Sequence, residues 1–405
     1  MKAVSGTEMR NLDRRAIEEG GIPGERLMRI AGALAASSIM EYIARLMKFD
    51  VFPRNIIVLA GKGNNAGDAF VVAKLLANLG EYHVFLHCAA KEEELQGDAL
   101  TMFRELPDKI KGRITWGLQK SDLEIPNVLI VDGLLGTGCR GPLREPFDSW
   151  IRIVNESGHP VVSLDIPSGL DADTGEVATD AITADLTLTM ALPKRGMLSE
   201  EGIRRCGRIK VLDIGIPARF VDEAPEFTEC TAASDIVKYF PRESFDIHKN
   251  SRGHLLVIGG SRLYSGAPAL AGEAALRTSA GLVTVAIPEG AHLFADPPKA
   301  MMIRKIPDSC LGFFCEDSKP GIAELMEKAD AVVIGPGMGT DPNSLSILEQ
   351  VLVSGKKALA DADALNLLAQ APFLAEKISA DLVFTPHPGE MKRLAAAFGA
   401  CGPLT

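Results

Sequence analysis

Residues 56–80 read IIVLAGKGNNAGDAFVVAKLLANLG. An aliphatic run opens the stretch as a strand apolar on both faces, glycines break it, and apolar residues at helical spacing close it. Gly61, Gly63 and Ala66 satisfy the G-x-G-x-x-G/A pattern, in which glycines after a strand let backbone amides approach a diphosphate at a helix start. An ordinary dinucleotide fold also needs an acidic residue at the end of the next strand to hold a ribose. Here that strand, YHVFLHCAA over 82–90, ends in His87, Cys88 and Ala89, and Glu81 precedes it. Hydride transfer thereby loses its second support. Asn64, Asn65 and Asp68 instead crowd amide and carboxylate oxygens into the helix start, where they suit a hard cation or sugar hydroxyls. The plainer reading of either asparagine is a helix cap.

The same rhythm continues outward from this stretch. NVLIVDG, PVVSLDIPSG, ADLTLTMALP and RIKVLDIGIP each join an apolar run to Gly, Pro or Asp punctuation, with helical patterns between them. Strands apolar on both faces, separated by helix-length segments, predict a parallel sheet covered on both sides. The expected domain spans 1–219. A polar, proline-containing stretch over 220–245 reads as a linker. The rhythm restarts with GHLLVIGGS, GLVTVAIP, ADAVVIGPG, KKALADADAL and DLVFTPHPG, predicting a second α/β domain over 246–405.

Whole-chain properties fit this division. A length of 405 residues exceeds what one core usually supports. Hydrophobic residues at 46% and charged residues at 24% belong to a globular chain and exclude disorder or a collagen repeat. The net charge of -10, with no basic run, disfavours nucleic acid as a partner and points to small molecules. The charged opening MKAVSGTEMRNLDRRAIEEG lacks a signal-peptide core, and no uninterrupted apolar stretch is long enough to span a bilayer. Seven cysteines without a CxxC pair read as reduced thiols in a cytoplasmic protein, Cys310 and Cys315 among them.

Three further strand ends carry chemistry. VDGLLGTGCRGP places Asp132 before the turn Gly136, Thr137, Gly138, Cys139, Arg140 and Gly141; LDIPSGLDADTG places Asp165 and Ser168; MALPKRGML places Lys194. A cap or turn role for Asp165 and a solvated surface role for Lys194 are the plain alternatives. Successive strand ends bearing oxygen ligands and then an ammonium, on one edge of one sheet, predict a site.

GKGNNAGDAF, VDGLLGTG, DIPSGLDADTG and LPKRG together resemble the N-terminal epimerase domain of the bifunctional NAD(P)H-hydrate repair enzymes, a Rossmann-like three-layer α/β/α fold. HKNSRGHLLVIGGSRLYSGAPALAGEAALRTSAGLVTVAIP, VIGPGMG, DADALNLL and TPHPGEMKRL are similar to the ribokinase-like ADP- or ATP-dependent NAD(P)H-hydrate dehydratase domain. The resemblance implies hydrated NADH or NADPH as substrate, with R and S forms at C6 interconverted at the first site and the S form dehydrated with nucleotide at the second. It implies a homo-oligomer and a potassium ion on Asn65, Asp132 and Ser168. It sets the hydrated cofactor against Asn64, Asn65, Ala66, Gly67, Asp68, the Gly136–Gly141 turn and Asp165, and in the second domain against Ala267, Gly339 and His387. Asp361 and Asp363 either assist there or cap a helix.

Inverting C6 breaks and re-forms a C–O bond, so a base and an acid are needed; Asp165 and Lys194 are the candidates. Two departures from the family pattern are visible. Ala66 and Ala69 stand where the family loop usually has glycine, which is unfavourable if either position needs positive φ. The family's nucleotide-phosphate turn, Gly-Thr-Gly-Asp, is expected beyond Thr405: Gly136-Thr137-Gly138 belongs to the first domain and is followed by Cys139. On this reading the second domain is truncated and its dehydratase activity impaired. The rival readings are a non-catalytic ligand-binding or scaffold protein of the same descent and a ribokinase-type small-molecule kinase.

Overall fold

The computed structural model describes residues 1–224, 228–231, 233–240, 248–292 and 298–399. They belong to two units, Met1–Phe240 and Pro241–Thr405.

In the first unit, β1 (Lys2–Ala3) leads into helix α1 (Gly6–Glu18), capped by the Ser5 hydroxyl on the Glu8 N–H, and then into α2 (Gly24–Leu46). The opening stretch forms β2 (Asn55–Ala60) and α3 (Asn64–Leu79). The strands β3 (His83–Cys88), β4 (Val128–Gly133), β5 (Val161–Leu164), β6 (Leu186–Met190) and β7 (Arg208–Leu212) follow. All run parallel in the order β3-β2-β4-β5-β6-β7. Alternate residues of each strand face opposite layers. Ile56 and Val58 join the core made with α2 and α3, while Ile57 and Leu59 join Trp150, Ile151 and Val154 of the helix Phe147–Ser157.

Strand order reverses between β2 and β4, so their carboxyl ends open the crevice where such sheets bind ligands. The helix Gly24–Phe49 is long and apolar enough to cross a membrane, although Arg29 and Glu41 interrupt its sequence. Its buried face, including Leu27, Ala31, Ala35 and Ile39, packs into the unit's core with α3.

The stretch expected as a linker over 220–245 contributes to this unit. Phe220 and Ala224 are buried beside Met9 and Leu12 of α1, and β8 (Thr228–Glu229) pairs antiparallel with β1. Residues 225–227, 232 and 241–247 lie outside the described residues.

The second unit carries β9 (His254–Ile258), β10 (Leu282–Pro288), β11 (Met301–Ile306), β12 (Ala331–Ile334), β13 (Lys357–Ala360) and β14 (Asp381–Phe384), parallel in the order β11-β10-β9-β12-β13-β14. Its switch point falls between β9 and β12. β11 was not anticipated, because MMIRKI breaks the apolar run with Arg304 and Lys305. Both are exposed, as suits an edge strand that must not pair with other chains.

In the first unit, the loops after β2 and β4 touch. A Cβ on Gly61 would lie 1.9 Å from the Leu134 carbonyl oxygen. Replacing Gly61 with Ala is expected to destabilise the protein by about 1–3 kcal/mol, the usual range for overpacking, as measured by urea denaturation.

Candidate functional site

The helix α3 starts one or two residues earlier than a cap on Asn64 or Asn65 would require. Gly63 is the N-cap, and it makes no side-chain capping bond. Asn64 is therefore free on the surface, while Asn65 is buried and its amide donates to the Leu135 carbonyl at 2.7 Å. Its Oδ1 is buried and has no partner among the described residues. Ala66 and Ala69 both lie inside the helix, fully buried, and neither has positive φ. The expected penalty at these positions does not arise, because alanine is the best helix former. Gly67 faces α2: a Cβ there would lie 2.4 Å from the Met28 sulfur. Its need for glycine is set by helix packing.

Asp132 ends β4 with its carboxylate fully buried. It accepts four hydrogen bonds: Leu134 N–H at 3.2 Å, Ser163 Oγ at 2.8 Å, Ser168 N–H at 2.9 Å and Ser168 Oγ at 2.6 Å. Burial raises its carboxyl above the usual range and these bonds oppose the rise. Ser168 Oγ also accepts from the Leu135 N–H at 2.8 Å. Asn65, Asp132 and Ser168 thus meet around the backbone of Leu135. Carboxylate, hydroxyl and amide oxygens with one orphaned Oδ1 suit a hard cation. The Gly136–Gly141 turn beside them is partly exposed, and Arg140 pairs with Asp173 at 2.5 Å.

Next along the sheet stands a buried ion pair. Asp165 follows β5 with φ of 61°, and Ala191 follows β6 with φ of 57°, both left-handed. The turns close through Ile166 N–H to Leu164 O at 2.7 Å and Leu192 N–H to Met190 O at 2.7 Å. Three-residue turns of this hand are rare and strained, and strain of this kind collects at functional sites. The ammonium of Lys194 is fully buried. It donates to Asp165 Oδ1, to Thr189 Oγ1 at 2.9 Å and to the Met190 carbonyl at 3.1 Å. All three of its N–H donors are then engaged. Asp165 also accepts the Met190 N–H on Oδ1, at 3.2 Å, which leaves Oδ2 without a donor among the described residues. The side chain of Asp165 is 16% exposed.

Two more carboxyls feel this pair. Burial holds Asp68 well above the usual carboxylate range, with the charges of Asp165 and Asp13 adding to the rise and Lys194 opposing it. Asp13 of α1 is pushed up to about 6, first by burial and then by Asp165, again against Lys194. Sequence reading missed Asp13. The signal was present: Met9, Leu12, Asp13 and Ala16 form an i, i+3, i+4, i+7 stripe, and a carboxylate occupies one place in an otherwise apolar face.

In the second unit, Ala267 starts the helix Ala267–Arg277 after β9, and Gly339 lies in the turn after β12 with φ of 75°. These two positions flank one switch point: a Cβ on Gly337 would lie 3.3 Å from the Ala267 Cβ. The Gly339 N–H donates to Asp363 Oδ2 at 2.8 Å. Asp363 thus braces this turn, while Asp361 stands at the end of β13. His387 lies after β14, two strands away, exposed, with its Nδ1 accepting the Gly389 N–H at 3.0 Å as a helix cap.

Each unit is thus a parallel α/β module with candidate groups at the carboxyl ends of its strands, the architecture of a small-molecule enzyme. Residues 24–196 match the family described as YjeF-related protein N-terminus, and residues 255–402 match NAD(P)H-hydrate dehydratase. The bifunctional NAD(P)H-hydrate repair enzyme Nnr of Moorella thermoacetica is 37% identical over 403 residues, covering 97% of this chain and 75% of that protein. The enzyme of the same name from Salinibacter ruber is 37% identical over 417 residues, with the same coverages. Among solved structures, the ADP/ATP-dependent NAD(P)H-hydrate dehydratase of Bacillus subtilis is 24% identical, with a TM-score of 0.32, covering 40% of this chain and 54% of that one. The chain belongs to the bifunctional NAD(P)H-hydrate repair enzymes.

The position of Asp13 has a consequence for stability. A carboxyl whose folded pKa is raised adds stability below its unfolded value, near 4, and loses it as pH rises through about 6. Wild type is therefore expected to lose about 1–3 kcal/mol relative to Asp13→Asn between pH 4 and pH 7. Paired urea titrations across that range check this.

Proposed function

We propose that the first unit epimerises NADH and NADPH hydrates at C6 and that Asp165 is the group that moves the proton. The observation that carries this is the ion pair itself: a buried lysine with every N–H engaged holds a strained aspartate at a strand end, with one carboxylate oxygen free. Breaking the C6–O bond is assisted by the ring nitrogen's lone pair, and the entering water must lose a proton to a base. Asp165, paired with Lys194 and with one carboxylate oxygen free, suits that role. Lys194 then acts by positioning and charge. The backbone amides of the Gly136–Gly141 turn and the exposed Asn64 are the groups in this reading that meet the diphosphate end of the substrate.

Asn65, Asp132 and Ser168 are the proposed potassium ligands. A bound potassium ion would supply positive charge that draws the loops after β2, β4 and β5 together. In the second unit we place the S hydrate against Ala267, Gly339 and His387, with ADP or ATP as phosphate donor. A cytoplasmic homo-oligomer acting on small molecules, apart from nucleic acid and membranes, completes the reading, supported by the net charge of -10.

Purified protein is expected to speed equilibration of the separated R hydrate with the S form without nucleotide, followed by chromatography against an enzyme-free blank. Asp165→Asn and Lys194→Met are each expected to slow this by about a hundredfold or more. Wild-type rates in both variants would remove the assignment.

The potassium site has its own test. Affinity for the hydrate is expected to be higher in potassium chloride than in choline chloride at equal ionic strength. Asn65→Ala, which deletes the orphaned oxygen, should flatten that difference. Equal affinity of wild type in both salts would leave Asn65 with a structural role alone.

A further inference from the structure

We propose that Asp13 of helix α1 is the second proton carrier of the epimerase site, working opposite Asp165. This inference rests on the epimerase reading above and deepens it. Inversion at C6 requires two proton transfers, one to the departing hydroxyl and one from the entering water. The Asp165–Lys194 pair supplies only one, since the three N–H donors of Lys194 are held by Asp165, Thr189 and Met190. Another group must carry the second.

The chain brings Asp13 to the right place by zipping its N-terminus onto the backbone on either side of Lys194. The Val4 N–H donates to the Pro193 carbonyl at 3.0 Å, and the Arg195 N–H donates to the Val4 carbonyl at 2.9 Å. α1 starts immediately afterwards. Its first residue is fixed over the substrate turn: the Gly6 N–H donates to Asp173 Oδ1 at 2.6 Å, and a Cβ on Gly6 would lie 3.1 Å from the Thr137 carbonyl. The buried stripe Met9, Leu12 and Ala16 then sets which face of the helix is turned inward, and Asp13 is on that face.

Charge balance limits what the cluster can hold. Asp13, Asp68 and Asp165 share one cation, Lys194, and a buried site does not tolerate two uncompensated carboxylates. Protons must therefore reside there. Asp68, in the first turns of α3, is buried with Oδ1 unpartnered, and burial raises its carboxyl well above the usual range. Asp13 is less enclosed and is poised near neutrality, where a proton carrier works best. Of the other charges near it, Arg10 and Arg14 on its own helix are exposed. Arg15 is turned away to Glu19 and Glu223.

The step balances. The C6–O bonding pair leaves with oxygen, the ring nitrogen's lone pair becomes the second C6–N bond, and the Asp13 proton completes the departing water. A water then adds its oxygen lone pair to the other face of C6, the C–N pair returns to nitrogen, and Asp165 takes the proton. Solvent exchange resets both carboxyls.

The test compares Asp13→Asn, Asp13→Glu and Asp165→Asn by R-hydrate epimerisation across pH 5–9, with affinity and unfolding measured alongside. Wild-type kcat/KM is expected to fall as pH rises through about 6, as Asp13 loses its proton. Asp13→Asn should lower kcat about a hundredfold, remove that limb, bind the hydrate within about threefold of wild type and unfold later at neutral pH. Asp13→Glu should recover part of the rate together with the limb. If Asp165→Asn is inactive while Asp13→Asn keeps wild-type kcat and the same limb, this inference is overturned and the epimerase reading stands. If both variants keep wild-type rates, the epimerase reading itself falls. Loss of rate in Asp13→Asn accompanied by earlier unfolding and an unchanged limb would make Asp13 structural and overturn the proposal.

Discussion

The first unit is organised around an ammonium group removed from water. Burying a lysine charge costs several kcal/mol unless it is paired and fully hydrogen-bonded, and here the compensation comes from three partners on two neighbouring strand ends. The surrounding geometry follows from that requirement. Asp165 must leave β5 in a left-handed turn to present its carboxylate to Lys194, and β6 must end in the matching turn at Ala191 to present Met190 O. The N-terminal segment is then needed to cover the pair, which explains why Val4 bonds to both neighbours of Lys194 rather than to an edge of the main sheet.

Asp132 solves the opposite problem one strand away. It is as deeply buried as Lys194, yet its charge is met by four donors and no cation of the protein. The two buried charges thus divide the crevice. On the β4 side the hydrogen-bonded Asp132 carboxyl ties the turns after β4 and β5 together. On the β6 side a saturated cation fixes the Asp165 carboxylate. Saturation keeps Lys194 from acting as a free reagent, and leaves Asn65 Oδ1, Asp68 Oδ1 and Asp165 Oδ2 as the oxygens with unspent valence among the described residues.

Much of this was legible in the sequence because parallel sheets write themselves as apolar runs. β2 to β7, and β9, β10 and β12 to β14, were all anticipated as strands, and the four strand ends bearing Asn65, Asp132, Asp165 and Lys194 stand on adjacent strands. Three things escaped that reading. β11 carries Arg304 and Lys305 because it is an edge, so it lacks the signature of a buried strand. The two-residue strands β1 and β8 owe their existence to tertiary pairing, which leaves no local pattern. Asp13 was passed over because a single aspartate in a charged helix looks solvated until its neighbours in the stripe are known to be buried.

The two units put parallel sheets of different strand order to different chemical use. In the first, the carboxyl edge of the sheet bears carboxyls that burial has raised above their ordinary range, Asp68 and Asp132 among them. In the second, the residues flanking the switch point are glycines and an alanine, and the nearby carboxylates Asp361 and Asp363 are only partly buried. Gly339 with its positive φ and its N–H on Asp363 shapes backbone rather than side-chain chemistry. A surface built from main-chain groups can lie close to a flat nicotinamide ring, and it contributes little acid or base of its own. The first unit differs in this respect, since its strand ends gather Asp132, Asp165 and a fully buried Lys194.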